Sequence, residues 1–161
     1  MEEQVNPVPV EPPRGFFPAH VDDKGRLKLP VNFQQYLGAM GDQKLFVTSV
    51  DGRIARIYPI SVWEQNEKLL ADLSAEDPEA AEALGFIANH YGAEGKMDPQ
   101  GRVTLPAELR RELTLENQEV RVDCFMGGIN VYGMKEYEER NRRFRENLDA
   151  KVNAARKKGF R

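Results

Sequence analysis

Apolar positions along this chain follow two periods, and each change of period marks an element. His20-Val21 and the stretch from Arg26 to Leu29 read as short strands on either side of the polar turn Asp22-Asp23-Lys24-Gly25. Pro30 stops the second strand and suits the first turn of a helix, where its missing N–H has no intrahelical partner. Phe33 and Leu37 then supply the i, i+4 apolar pair of a short helix. Two more strands follow, Lys44 to Val50 and Ile54 to Tyr58, with Gly52 at their turn. The same succession then recurs: the turn Asp98-Pro99-Gln100-Gly101, Pro106, the helical pair Leu109 and Leu113, and strands Val120 to Phe125 and Ile129 to Tyr132 around Gly127-Gly128.

The recurrence extends to single residues. At one constant offset Asp22 matches Asp98, Gly25 matches Gly101, Arg26 matches Arg102, Leu29 matches Leu105, Pro30 matches Pro106 and Leu37 matches Leu113. After a short gap Asp51-Gly52-Arg53-Ile54 faces Met126-Gly127-Gly128-Ile129, Ile57-Tyr58 faces Val131-Tyr132, and Trp63 faces Tyr137. Each copy is about 45 residues, below the size that usually folds alone. The two copies should therefore share one core. In the second turn, Asp at the first position, Pro at the second and Gly at the fourth are what a type I turn favours. A left-handed glycine then lets the chain re-enter the ladder as a bulged hairpin. Each Arg leaves its hairpin beside the Asp that opens it.

The remaining segments set the domain plan. Residues 1–13 are acidic and proline-rich, and are expected to form a disordered or extended leader. The first repeat occupies 14–62 and the second 93–136, with a helical connector at 63–92 and a C-terminal helix at 137–161. In the connector, Ser61 and Glu64 have capping-box spacing. Asp77-Pro78 reads as a cap followed by a proline at the first helical position. Ala80, Leu84, Ile87 and Tyr91 then keep one helical face. In the terminal segment Phe144, Leu148, Val152 and Ala155 form an apolar stripe on a basic amphipathic helix.

Composition narrows the function classes. The 161 residues are 40% hydrophobic and 30% charged, which suits a soluble globular domain. The single cysteine, Cys124, excludes an intrachain disulfide and a cysteine zinc site, and its apolar strand predicts a buried, inert thiol. No apolar run approaches the ~20 residues that span a bilayer. The N-terminus has no basic-then-apolar signal sequence, so a cytoplasmic location is expected. The formal net charge of −3 argues against nucleic acid only until its distribution is read. From Asp72 to Glu94 there are six acids and no Lys or Arg, whereas from Arg140 onward nine positive residues face two negative ones. That basic helix is open to two readings, a solvated or oligomer-contacting face and a nucleic-acid contact.

The sharpest chemistry lies in the two Asp-x-x-Gly-Arg hairpins. A guanidinium held at a rigid turn can fork onto a phosphate or onto guanine O6 and N7. The Asp can cap the turn amides and restrain the Arg by a charge-assisted bond. Lys24 and Lys28 add charge to the first hairpin, where the second has Gln100 and Thr104. A plain structural turn with an internal Asp–Arg pair remains the alternative reading. Enzyme signatures are missing: there is no HExxH, GxSxG, phosphate-binding loop or dinucleotide fingerprint. His20 reads as a strand residue near the hairpin rather than a catalytic base. No enzyme activity, cofactor, metal or small-molecule substrate is expected.

The pattern D-x-x-G-R-φ-x-φ-P, present twice and followed by Tyr58-Pro59 and Tyr132-Gly133, resembles the MraZ family, the two-repeat members of the SpoVT/AbrB-like DNA-binding proteins. Arg14-Gly15 and the step Tyr91-Gly92-Ala93 also match that family's pattern, so the resemblance runs from about Arg14 to Tyr137. It departs at Gln34, where the family usually carries an Arg that Arg110 keeps in the second copy, and at Ile87 to His90, where the family's connector usually carries another. The resemblance implies an α+β, β-rich fold: a swapped-hairpin, AbrB-like, double-psi-type β-barrel built from the two repeats with short flanking helices. It implies a homo-oligomeric ring, associated with the nucleoid, that binds direct repeats in double-stranded promoter DNA of a division and cell-wall gene cluster. Carried over by position, Asp22, Arg26, Asp98 and Arg102 are its DNA-binding residues and Arg110 keeps a family position; Lys24, Lys28 and Arg14 are expected to add supporting charge. Two other outcomes stay open: an AbrB-like antitoxin, and a structural ring or adaptor without DNA affinity.

Overall fold

A computed structural model of the protein describes residues 11–41 and 43–161, so most of the 1–13 leader lies outside the described residues. The first copy supplies β1 (Phe17–Val21), β2 (Arg26–Lys28), α1 (Val31–Ala39), β3 (Leu45–Thr48) and β4 (Ala55–Pro59). The connector is α2 (Ile60–Glu76) and α3 (Pro78–Tyr91). The second copy supplies β5 (Ala93–Gly95), β6 (Arg102–Thr104), α4 (Ala107–Leu113), β7 (Gln118–Phe125) and β8 (Gly128–Gly133). Two helices end the chain, α5 (Met134–Phe144) and α6 (Leu148–Arg156).

The copies do not form separate sheets. One eight-stranded sheet runs in the order β5-β3-β4-β8-β7-β1-β2-β6 and curls into a nearly closed antiparallel barrel. β1 of the first copy pairs with β7 of the second, and β5 of the second pairs with β3 of the first. β4 pairs with β8 and β2 with β6, each joining corresponding strands of the two copies. This is the interleaving expected of swapped hairpins. The loops cross reciprocally as well: Leu29 N donates to Gly101 O at 3.0 Å, and Leu105 N donates to Gly25 O at 2.9 Å.

Interleaving follows from the apolar pattern. Leu27, Leu29 and Phe33 of the first copy and Val103, Leu105 and Leu109 of the second are all buried in one cluster, with Val21, Ile57, Val122 and Ile129. Neither copy could close that core alone. The copies differ at one point: β1 runs directly into its turn and pairs with β2, whereas β5 pairs with β3. Lys96 and Met97 intervene before the second turn, and Met97 packs against the core instead of extending the ladder.

A second, smaller cluster fixes the connector. Phe46, Tyr58, Trp63 and Ala88 pack together, with the Phe46 and Trp63 rings 4.6 Å apart. Thr48 Oγ1 donates to Ala88 O at 2.6 Å, so α3 lies close to β3. Gly92 permits this approach, since a Cβ there would stand 2.3 Å from the Phe46 ring.

Three helical expectations need correction. α2 begins at Ile60 with Pro59 at its N-cap, so Ser61 and Glu64 fall inside the helix and do not form its capping box. The preceding strand ends at Pro59, which fixes the start of the helix. The expected face of α3 holds only in part: Tyr91 packs against the core, but Leu84 is 40% exposed and the helix's buried residue is Ala88. Asp77 does cap α3, its side chain accepting from Ala80 N at 3.1 Å. The C-terminal segment is two helices, because Asn147 takes a left-handed conformation (φ 55°) between α5 and α6. No helix among the described residues is long and apolar enough to cross a membrane.

Candidate nucleic-acid interface

Each hairpin is built around its aspartate. Asp22 Oδ1 accepts from Lys24 N at 3.0 Å and from Arg26 N at 2.8 Å, while Oδ2 accepts from Arg26 Nε at 2.7 Å. Asp98 repeats the arrangement, accepting from Gln100 N at 2.9 Å, Arg102 N at 2.8 Å and Arg102 Nε at 2.7 Å. In both turns the glycine N–H returns to the aspartate carbonyl, at 3.1 and 2.9 Å. Gly25 (φ 76°) and Gly101 (φ 79°) are left-handed, a region that costs other residues backbone strain.

The aspartates stay ionised under all ordinary conditions. Hydrogen bonds from Arg26 N, the largest favourable cause, and then from its side chain hold the Asp22 carboxyl down to about 2, against desolvation. Arg102 does the same to Asp98, which also lies below the usual range. Each arginine is bonded through Nε alone among the described residues, so both Nη groups of Arg26 and of Arg102 are left without a partner. Their side chains are 30% and 27% exposed, which makes them oriented but accessible.

The β2–β6 pairing places these groups together. Arg26 lies opposite Thr104, Leu27 opposite Val103, and Lys28 opposite Arg102. Leu27 and Val103 point into the core, so Arg26, Lys28, Arg102 and Thr104 share the outer face of the β2–β6 ribbon, the end of the sheet, which continues into β1. The two arginines are diagonal neighbours across it, about 7–8 Å apart at the backbone. Lys24 is exposed in the first turn, and Lys28 Nζ reaches across to donate to Gln100 O.

The other expected residues fall elsewhere. Arg110 sits behind the first hairpin: its Nη1 donates to Lys24 O, and Glu116 lies 3.8 Å away. Gln34, its counterpart, lies behind the second hairpin and donates from Nε2 to Leu29 O at 2.7 Å. A Cβ at Gly25 would meet Arg110, and a Cβ at Gly101 would meet Gln34. Each helix thus braces the hairpin of the opposite copy. Contacts this remote in sequence leave no trace in periodicity; the one available signal was that 34 and 110 are equivalent in the repeat. Arg14 is exposed and precedes β1, so roughly 13 Å of strand separates it from the first turn.

Three further placements bear on the chemistry. His20 is exposed on β1 between Lys28 and Glu119 in register. Cys124 is half-buried rather than buried, packed against the edge of the core cluster, and burial pushes its thiol up. Arg140, counted among the terminal basic residues, is an internal anchor. It bonds Asp51 at 2.7 Å and Glu136 at 2.8 Å, tying α5 to the β3–β4 turn. Asp51 itself is held below the usual range by the Arg53 amide and then by Arg140.

Comparison with known proteins adds an independent observation. The family described as "MraZ protein, putative antitoxin-like" matches residues 92–159. A protein of Acidobacterium capsulatum named "Transcriptional regulator MraZ" is 38% identical over 84% of this chain and 87% of its own length. Its namesake from Koribacter versatilis is 40% identical over 70% of this chain and 76% of its own length. That of Thermomicrobium roseum is 32% identical over 73% of this chain and 76% of its own length.

Proposed function

The chain belongs to the MraZ family, and on that premise we propose that it regulates transcription by binding double-stranded DNA through the β2–β6 ribbon. The observation that carries this reading is the diagonal pair of aspartate-held guanidiniums, each with both Nη groups free, on one exposed face. Fixing Nε removes part of the entropy cost of presenting a fork, and the remaining N–H groups match guanine O6 and N7 or a phosphate. Arg26 and Arg102 make these contacts, and Lys24 and Lys28 supply phosphate attraction. Arg110 acts through the first hairpin as a brace, and Arg14 flanks the surface.

A homo-oligomeric ring would present several ribbons to repeated promoter boxes upstream of division and cell-wall genes. Weak single contacts then add through effective concentration. On this reading the working protein acts on the nucleoid, in the cytoplasm, as a regulator and not as a catalyst. Gel shift with the DNA upstream of the protein's own gene, at two salt concentrations, tests the proposal. Specific, salt-weakened binding that disappears in the Arg26→Ala/Arg102→Ala double variant supports it. Binding unchanged in that variant, or no binding at all as expected of a structural adaptor, overturns it. The family description keeps one second reading alive, an AbrB-like antitoxin whose C-terminal segment embraces a toxin. Its mark would be a small toxic protein that copurifies and is encoded next door.

A further inference from the structure

Two surfaces remain unused by the DNA-binding reading, and they are opposite in charge. The outer face of α3 carries Glu79, Glu82 and Ala83 around Phe86, which is 70% exposed. These four positions lie within one stripe of the helix, since Glu79, Glu82 and Ala83 stand seven, four and three residues before Phe86. Together with Ile87 they line an open groove. Neither Glu79 nor Glu82 forms an ion pair among the described residues, and the 72–94 segment contains no Lys or Arg.

The C-terminal end is the complement. No residue of α6 is buried. Leu148, Val152 and Ala155 repeat at helical spacing on one stripe, and Lys151 and Arg156 flank it on either side. From Leu148 to Arg161 five positive residues face one negative residue, and Phe160 is exposed. The left-handed Asn147 sets this helix apart from α5.

We propose that α6 of one copy docks on the α3 face of a second copy, with Leu148, Val152 and Ala155 against Phe86 and Ala83, and Lys151 and Arg156 beside Glu79 and Glu82. The occupant is another copy of this chain because the two faces complement each other in both charge and apolarity. Pairing either face with itself would set like charges together. A contact between unlike surfaces is heterologous, and it propagates around a ring when the rotation closes. This deepens the reading that the chain assembles with itself, and it assigns the acidic connector and basic terminal helix to assembly instead of DNA.

Charge exchange tests the contact, using the full chain without DNA and reading mass by sedimentation and light scattering. The wild type is expected to be larger than its 18.3 kDa chain. Glu79→Lys/Glu82→Lys should fall to single chains, as should Lys151→Glu/Arg156→Glu. Mixing these two variants, or combining all four changes in one chain, should restore assembly; circular dichroism confirms that each variant is folded. A single-chain wild type, unchanged mass in both reversed variants, or no recovery on mixing and on combining overturns the docking. Because DNA is absent, none of these results depends on Arg26 and Arg102. Retained assembly with weakened DNA binding in the Lys151→Glu/Arg156→Glu variant would also overturn it, assigning α6 to DNA.

Discussion

The first hairpin carries Lys24 and Lys28 where the second carries Gln100 and Thr104, yet the Asp–Arg bond is 2.7 Å in both. The turn hydrogen bonds and the glycine φ angles also agree closely. What the two copies share is the machinery that orients an arginine. Where they differ is the charge around it, and what stands behind it: Arg110 hydrogen-bonds the first hairpin, whereas Gln34 packs against Gly101 of the second and bonds Leu29 of its own copy. The comparison teaches that orientation and attraction are separable here. The first hairpin carries two more positive charges, and the second has uncharged hydrogen-bonding groups at the same positions.

The largest effects should come from breaking what both hairpins share. Phe33→Ala and its counterpart Leu109→Ala empty one common core, so each should cost about 3–5 and 2–5 kcal/mol respectively. Thermal unfolding should remain a single transition in both, because neither copy has a core of its own. Smaller, and unequal between the hairpins, are Gly25→Ala and Gly101→Ala. Both put a side chain at positive φ, costing on the order of 1–3 kcal/mol. Gly25→Ala should be the worse of the two in the same melts, since it displaces the charged Arg110 guanidinium from Lys24 O, whereas Gly101→Ala displaces the neutral Gln34 amide from Leu29 O.

Charge comes next. Giving the first hairpin the second's residues, Lys24→Gln with Lys28→Thr, should reduce the slope of log K against log salt by about 2, near 0.9 per lost phosphate contact. The reciprocal Gln100→Lys with Thr104→Lys should steepen it, and binding isotherms at several salt concentrations measure both. The smallest effect is that of pH. Asp22 titrates near 2 folded against 3.8 as a free side chain, so its contribution is complete above about pH 4 and is lost as pH falls through 2. Asp98 is depressed for the same reason, through Arg102. Carboxyl NMR titration should show both below 3.8, and neither titration should make DNA binding depend on pH between pH 5 and 8.

The duplicated turns were legible in sequence because turn chemistry is local. Asp, Gly and Arg at fixed offsets define the geometry within five residues, and Gly25 and Gly101 are indeed left-handed. The shared core was legible from size and periodicity. What escaped was non-local. Pro59, closing β4, moved the start of α2 ahead of Ser61, and the approach of β3 buried Ala88 in place of Leu84. Counting charge placed Arg140 with a free basic surface, whereas Asp51, far away in sequence, holds it. The bracing roles of Gln34 and Arg110 depend on strands crossing between copies, which no reading of either copy alone contains.

The central claim is that the two hairpins form one recognition surface through Arg26 and Arg102. A binding cycle on the upstream DNA with Arg26→Ala, Arg102→Ala and both together tests it most directly. Each single change should weaken specific binding by about 1–3 kcal/mol, and the double variant should bind specific and unrelated DNA alike. Specific affinity in the double variant equal to that of the unmodified chain would contradict it.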